Sequence, residues 1–191
     1  MRGLTMRGFL LAMFLAVVPA IAGAQEKPFL TTAPTPEYDA WWLRTEYHPF
    51  GADVRGIPVA KIRSDWCKAN EFRKDLFPSD QAGYFEGSSL SFAVDGNFDG
   101  SKTRQTGLVG VYETCRGKRG AFFLVLALPE GKPPAIRFIR EIPGEREFAM
   151  LAIVDRSTIA VFHCMECDHT SKFKWSKTKG SFVLLPPNDS E

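Results

Sequence analysis

The chain predicts a mainly β fold of the α+β kind: an antiparallel sheet or sandwich of about eight strands, with two helices confined to its N-terminal part. Three observations carry this expectation. From Tyr84 onward the apolar residues recur at every second position, with Leu90, Phe92 and Val94 alternating with Ser91 and Ala93, as a half-buried strand requires. Residues 121–128 (AFFLVLAL) are apolar throughout and are closed by Pro129, which suits a central strand covered on both faces. Apolar steps of three and four occur earlier, at Trp66, Ala69, Phe72 and Leu76, and predict a helix with one apolar face.

The chain of 191 residues opens on a targeting pattern. Arg2 and Arg7 are a basic lead, residues 9–20 are apolar apart from Pro19, and Ala22-Gly23-Ala24 is a small-residue cleavage site. The apolar run is shorter than the roughly 20 residues of a membrane span. Residues 1–24 are therefore expected to be a signal peptide cut before Gln25, which leaves no transmembrane anchor in the mature form. Residues 25–34 are expected to be a flexible lead-in, 35–187 a single domain and 188–191 a loose tail.

Thr35-Pro36-Glu37 has the residue types of a helix start, with a hydroxyl cap, proline in the first turn and an acid facing the dipole. It predicts a helix to about Tyr47, stopped by Pro49 and Gly51. Trp41 and Trp42 on it are either a ligand platform or core, and the area they would bury favours core. Residues 56–62 are expected to be extended. Ser64-Asp65 caps the second helix, over about 65–76, which Pro78 ends. Strands follow at 90–94, 107–114, 121–128 and 136–139. Two more, 148–154 and 158–164, flank a hairpin turn at Asp155-Arg156-Ser157. Phe173 and Trp175 mark one further strand, and Lys179-Gly180 turns the chain into the last, at 182–185.

Charge excludes one class of function. The chain has 24 Lys+Arg and 22 Asp+Glu, and loss of Arg2 and Arg7 would leave 22 of each. A near-neutral mature chain offers no field for nucleic acid or acidic lipid. The four cysteines, Cys67, Cys115, Cys164 and Cys167, are an even set in an exported chain and predict disulfides. Three connectivities are open, and Cys67–Cys115 with Cys164–Cys167 is favoured. The first would close a loop of about 49 residues, worth roughly 4 kcal/mol in the chain-entropy model.

One stretch has the spacing of a cation loop. Asp95, Asn97, Asp99 and Gly100 match D-x-[DN]-x-[DN]-G, which opens a calcium loop. Alternate residues would point inward, Ser101 would add a carbonyl and Thr103 a hydroxyl. Thr106, at the twelfth position, cannot supply the bidentate carboxylate of an EF-hand, and both flanks read as strands. With two carboxylates, any calcium affinity belongs to the weak, extracellular end, around 10⁻⁴–10⁻³ M. The alternative is a plain turn, for which Asp, Asn and Gly are also favoured. Over residues 90–112, the strand, the D-x-N-x-D-G loop and the apolar strand with Gly107 and Gly110 resemble a repeat of the FG-GAP or VCBS type. That resemblance implies a β-propeller blade whose loop holds calcium, in proteins that mostly bind partners or glycans. Thr103 stands where the family usually has Asp. About eight strands make two blades, so the loop architecture is carried over and the propeller is not.

His163-Cys164-Met165-Glu166-Cys167-Asp168-His169 is a second cluster. Thiolates with imidazoles would suit zinc or copper, but a tight disulfide at a strand end is the favoured reading. A redox CxxC draws on a helix N-terminus, and this one follows a strand. No G-x-S-x-G, H-E-x-x-H, P-loop or dinucleotide turn is present, and no carboxylate pair stands out. These absences together with the leader predict an exported, periplasmic or secreted, non-catalytic binding module for a protein or cell-envelope ligand. An inhibitor or immunity-type protein against an envelope-active partner fits. The alternatives are calcium-dependent adhesion, or an envelope enzyme of thiol-redox or hydrolytic type.

Overall fold

The computed structural model describes residues 28–34, 40–79, 83–143, 148–164 and 169–186. The predicted leader and the tail lie outside them. The chain is mainly β, as expected, but the two N-terminal helices are corrected: the α-helical turn that lies wholly within the described residues is α1, Val59–Ile62, and the strands fall into four antiparallel sheets.

The first predicted helix is replaced by a small ribbon. Residues 35–39 are outside the described part. Trp41–Arg44 make one 3₁₀ turn, and the chain then extends, so that β1 (Leu30–Thr32), within the expected lead-in, pairs with β2 (Thr45–Tyr47). Thr45 is β-branched and buried, and its hydroxyl donates to the Trp41 carbonyl at 2.8 Å, which ends the turn. Both tryptophans are buried as core rather than a platform: Trp41 packs among Phe77, Phe85 and Phe148, and Trp42 packs edge-on against Trp41. Next, β3 (Asp53–Val54) and β4 (Ile57–Pro58) form a tight hairpin that leads into α1.

The second predicted helix is strand β5 (Trp66–Glu71) followed by a 3₁₀ turn at Lys74–Leu76. The error has a definite cause. Trp66 pairs with Thr114 and Lys68 with Glu113, so Cys67 is a bulged residue. A bulge puts residues three apart on one face of a strand, the spacing that a helix also shows. Trp66 and Ala69 thus share a face, where Trp66 stacks on Tyr112 at 4.4 Å, while Phe72 lies in the core on the opposite side.

The larger part of the fold follows. β6 (Ala93–Gly96), β7 (Arg104–Thr114), β8 (Arg119–Leu128) and β9 (Ala135–Pro143) form one sheet with β5, in which β5 and β6 share the same edge of β7 end to end. β8 is the buried central strand that its composition predicts. Alternate residues of this sheet serve two cores. Leu108, Phe122, Leu124 and Leu126 face Val54, Ile57, Val59 and Ile62 of the β3–β4–α1 cover. Val109, Val111, Phe123 and Val125 face the second sheet, β10 (Met150–Asp155), β11 (Thr158–Phe162), β12 (Thr170–Ser176) and β13 (Ser181–Leu184). Phe123 meets Phe173 at 5.2 Å, and Phe138 meets Phe182 at 5.7 Å, across that core. The turns expected at Asp155-Arg156-Ser157 and Lys179-Gly180 join β10 to β11 and β12 to β13.

One link joins the two sheets along their edges. Ser91 and Leu151 exchange both backbone hydrogen bonds, at 2.9 and 2.7 Å, just before Phe92 turns the chain onto β7.

Candidate functional site

The acidic loop follows β6 and precedes β7. Asp95 stands on β6, where its carboxylate accepts from the Thr106 hydroxyl and the Arg104 guanidinium. The Thr106 hydroxyl, ahead of Arg104, holds that carboxyl below its usual range against the burial that opposes it. Asp99 accepts from the Ser101 N–H at 2.8 Å and from Arg137 at 2.8 Å, and its side chain is only 4% exposed. Burial acts to raise the Asp99 carboxyl, but the Ser101 contacts and Arg137 together hold it low. Arg137 also lies over the Trp175 ring, 5.1 Å from its centre, and so ties the loop to β12. Gly100 takes a left-handed φ of 72°, and the Thr103 N–H closes on the Ser101 hydroxyl at 3.2 Å. Asn97 is exposed.

Of the five residues expected to hold calcium, the two carboxylates are therefore each met by a guanidinium. Among the described residues no group of three His, Cys, Asp or Glu converges. A divalent cation at this loop would have to displace Arg104 and Arg137. The expected outcome of adding millimolar calcium is a melting temperature that moves by less than about 1 °C. A larger rise, lost in the Asp95→Ala/Asp99→Ala variant, would support the calcium loop.

Beside this loop the two sheets part. A cleft of about 620 Å³ lies there, with Gly96, Asn97, Phe98 and Gly100 on one wall and Ile153, Asp155 and Arg156 on the other. Phe98 is buried, and its N–H is held by the side-chain carbonyl of fully buried Gln105 at 3.1 Å. The other end of that amide, Gln105 Nε2, is buried with no partner. Asp155 is consumed by its own turn, accepting from the Ser157 N–H at 2.7 Å and from the Ser157 and Thr158 hydroxyls at 3.0 Å. Arg156 is exposed and has no ion-pair partner among the described residues. The cleft thus offers an apolar floor, the exposed amide of Asn97 and an uncommitted positive charge on Arg156. A second recess, of about 730 Å³ beside Pro28 and Phe50, is less available, because its Glu113 is already held by Arg119 at 2.9 Å and Lys68 at 3.7 Å.

The cysteines fall into two groups. Cys67 and Cys115 are bonded to each other, as favoured. Cys164 is also disulfide-bonded and 6% exposed, and Cys167 lies outside the described residues. His163 and His169 are cross-strand neighbours: the His163 N–H donates to the His169 carbonyl at 3.1 Å and their rings stack at 4.5 Å. His163 Nε2 meets the Ser171 hydroxyl at 3.0 Å. Burial first, and His169 second, push the His163 imidazole down to about 4. Its folded pKa lies below the unfolded value, so its contribution to stability is present above about pH 6.5 and is lost as pH falls towards 4. Between pH 7 and pH 4.5 the wild type should lose about 2–4 °C more in melting temperature than His163→Gln. Equal losses would mean that His163 is not held neutral.

Sequence reasoning singled out the loop but not the opposite wall of the cleft. Asp155 and Arg156 read as turn residues, and no local pattern announces that their turn faces residues 96–100. No protein-family model matches this chain, and no curated protein and no solved structure is similar to it. Fold and site define the class from within: a disulfide-bonded antiparallel β protein with an open cleft where two sheet edges part.

Proposed function

We propose that this protein is an exported, non-catalytic binding module of the cell envelope, which takes a protein partner at the cleft between β6 and β10. The observation that carries the reading is the state of the charges there. Asp95, Asp99 and Asp155 are each satisfied by neighbours in the fold, whereas Arg156 is left for something outside it. Charge that is spent internally supports structure, and charge that is left over at an apolar cleft supports recognition. Export is supported by the leader-like residues 1–24 and by disulfides, which persist in oxidising compartments. The partner favoured is an envelope-active enzyme that the module blocks.

The test is affinity capture with mature 25–191, as wild type and as Arg156→Glu, exposed to periplasmic extract, with mass spectrometry of the retained proteins. One stoichiometric partner, retained by the wild type and at least about tenfold less by the variant, is expected. That partner's activity should fall on addition of the wild type alone. Identical retention on both columns would overturn the assignment of the cleft, and an empty wild-type column would overturn the module.

A further inference from the structure

The near balance of charge in the whole chain does not hold along the fold. Three loops meet at one end of the two packed sheets: residues 97–103 between β6 and β7, the Asp155–Ser157 turn between β10 and β11, and residues 177–180 between β12 and β13. The first faces the second across the cleft. The second is fastened next to β12 by the Trp175 N–H, which donates to the Ser157 carbonyl at 2.8 Å. Phe98 of the first loop meets Phe182 of β13, with 6.3 Å between ring centres.

These loops carry Lys102, Arg156, Lys177 and Lys179, and Lys174 stands on β12 beside them. All five are exposed, and none has an ion-pair partner among the described residues. The acids of this end do not offset them. Asp95 and Asp99 are taken by Arg104 and Arg137, and Asp155 is held by Ser157 and Thr158 of its own turn. Glu130 and Lys132, in the adjoining turn between β8 and β9, balance each other in charge. Neighbouring strands lie about 4.8 Å apart, so the β10–β11 and β12–β13 turns are about 10 Å from centre to centre. That is close to the Debye length of about 8 Å at physiological salt, so these cations act as one field. Gathered like charges repel one another and hold nothing in the fold together. A partner that brings carboxylates relieves the repulsion.

The rest of this end decides which polyanion fits. The loop tips are polar, with Gly100-Ser101-Lys102, Arg156-Ser157 and Lys177-Thr178-Lys179, so no apolar side chain projects from them into a bilayer. The aromatic rings are already taken: Phe98 and Phe182 are buried, and Trp175 packs against Arg137 and Phe182. They leave no platform for a stacked base. What the cations border is a recess with Phe98 and Ile153 in its lining, which suits a projecting protein element.

We infer that this end of the fold docks an acidic protein surface, from which one apolar side chain enters the cleft while the carboxylates around it meet Arg156, Lys102, Lys174, Lys177 and Lys179. This names the chemistry of the binding module's partner and rests on that reading. Charge complementarity of this kind speeds encounter and rejects basic surfaces.

The probe is a library of random dodecapeptides, held at both ends in a carrier and selected on mature 25–191. Enriched sequences are expected to place Asp or Glu on both sides of an apolar residue. Affinity for a selected peptide should fall at least about tenfold in Lys177→Glu/Lys179→Glu, and again when salt is raised from about 0.05 to about 0.3 M. Arg116→Glu/Lys118→Glu makes the same change of charge in the exposed β7–β8 turn, at the other end of those strands, and should keep affinity within about twofold. Lys177 and Lys179 make no side-chain hydrogen bond or ion pair among the described residues, so their replacement leaves the fold intact. Failure to enrich acidic peptides, or equal losses in the two charge variants, would overturn the inference. So would tighter binding of oligo(dT) or of phosphatidylglycerol vesicles than of any selected peptide. A partner retained from periplasmic extract equally by the wild type and by Lys177→Glu/Lys179→Glu would sink the acidic surface and leave the binding module standing, whereas an empty wild-type column removes the module itself.

Discussion

Gly110→Ala is expected to destabilise the protein by more than about 3 kcal/mol and to leave little of it soluble. Gly110 lies in the middle of β7, opposite Glu71, where the end of β5 crosses closest. A methyl group there would stand 2.1 Å from the Asn70 carbonyl oxygen, 2.8 Å from the Glu71 Cα and 2.7 Å from the Phe122 ring. Two of the three obstacles are backbone, and neither can turn aside as the end of a flexible side chain would. Relief requires β5 to move off β7, which would also disturb the Trp66–Tyr112 stack and the Cys67 bulge. Gly83→Ala is the control, since nothing lies within 4 Å of its added methyl and its φ is ordinary. That variant should stay within about 0.5 kcal/mol of the wild type. The measurement is urea unfolding of both. If Gly110→Ala unfolds at the wild-type midpoint, the approach of β5 to β7 described above is wrong.

The Cys67→Ser/Cys115→Ser variant should lose about 4 kcal/mol, or roughly 8–16 °C in melting temperature. Both cysteines are exposed, so serine leaves no cavity and the loss comes from the unfolded chain, which gains the freedom of a 48-residue separation. The bond also fastens the bulge in β5 to the residue that follows β7, at the place where the register of β5 on β7 shifts. Reduction of the wild type should lower the midpoint at least as far, since Cys164 is bonded as well. The gap between the reduced wild type and the double variant then reports the second bond. A double variant that melts within about 2 °C of the oxidised wild type would show that the loop is already restrained in the unfolded state.

Much of the β architecture was legible because strand faces are written locally. The shared face of Leu90, Phe92 and Val94, the unbroken apolar run of β8 and the Asp155–Ser157 turn each depend on neighbours a few residues away, although the strand itself is Ala93–Gly96 and not 90–94. The same logic misled at β5. Trp66, Ala69 and Phe72 recur at steps of three, and a helix is the simplest object with that period. The bulge at Cys67 and the crossing of Phe72 to the opposite core produce the same spacing from a strand. At 45–47, burial of Thr45, and of Tyr47 in the aromatic cluster, goes with a strand where the helix was expected to run.

The candidate site divides along the same line. The acidic spacing of Asp95, Asn97 and Asp99 was visible in the chain, and so was its reading as a cation loop. That Arg104 and Arg137 answer those carboxylates was not, since Arg137 is 38 residues from Asp99. By itself the sequence determined the alternating faces, the central strand, the cysteine count and the near balance of charge, all properties of composition and short-range order. Only the tertiary structure decided that Ser91 meets Leu151, that the two edges part beyond that point, and that Arg156 is left over beside the gap. Backbone pairing between distant segments uses N–H and C=O groups that every residue carries, so it leaves no mark on residue type, and the cleft it creates becomes visible only when the sheets are assembled.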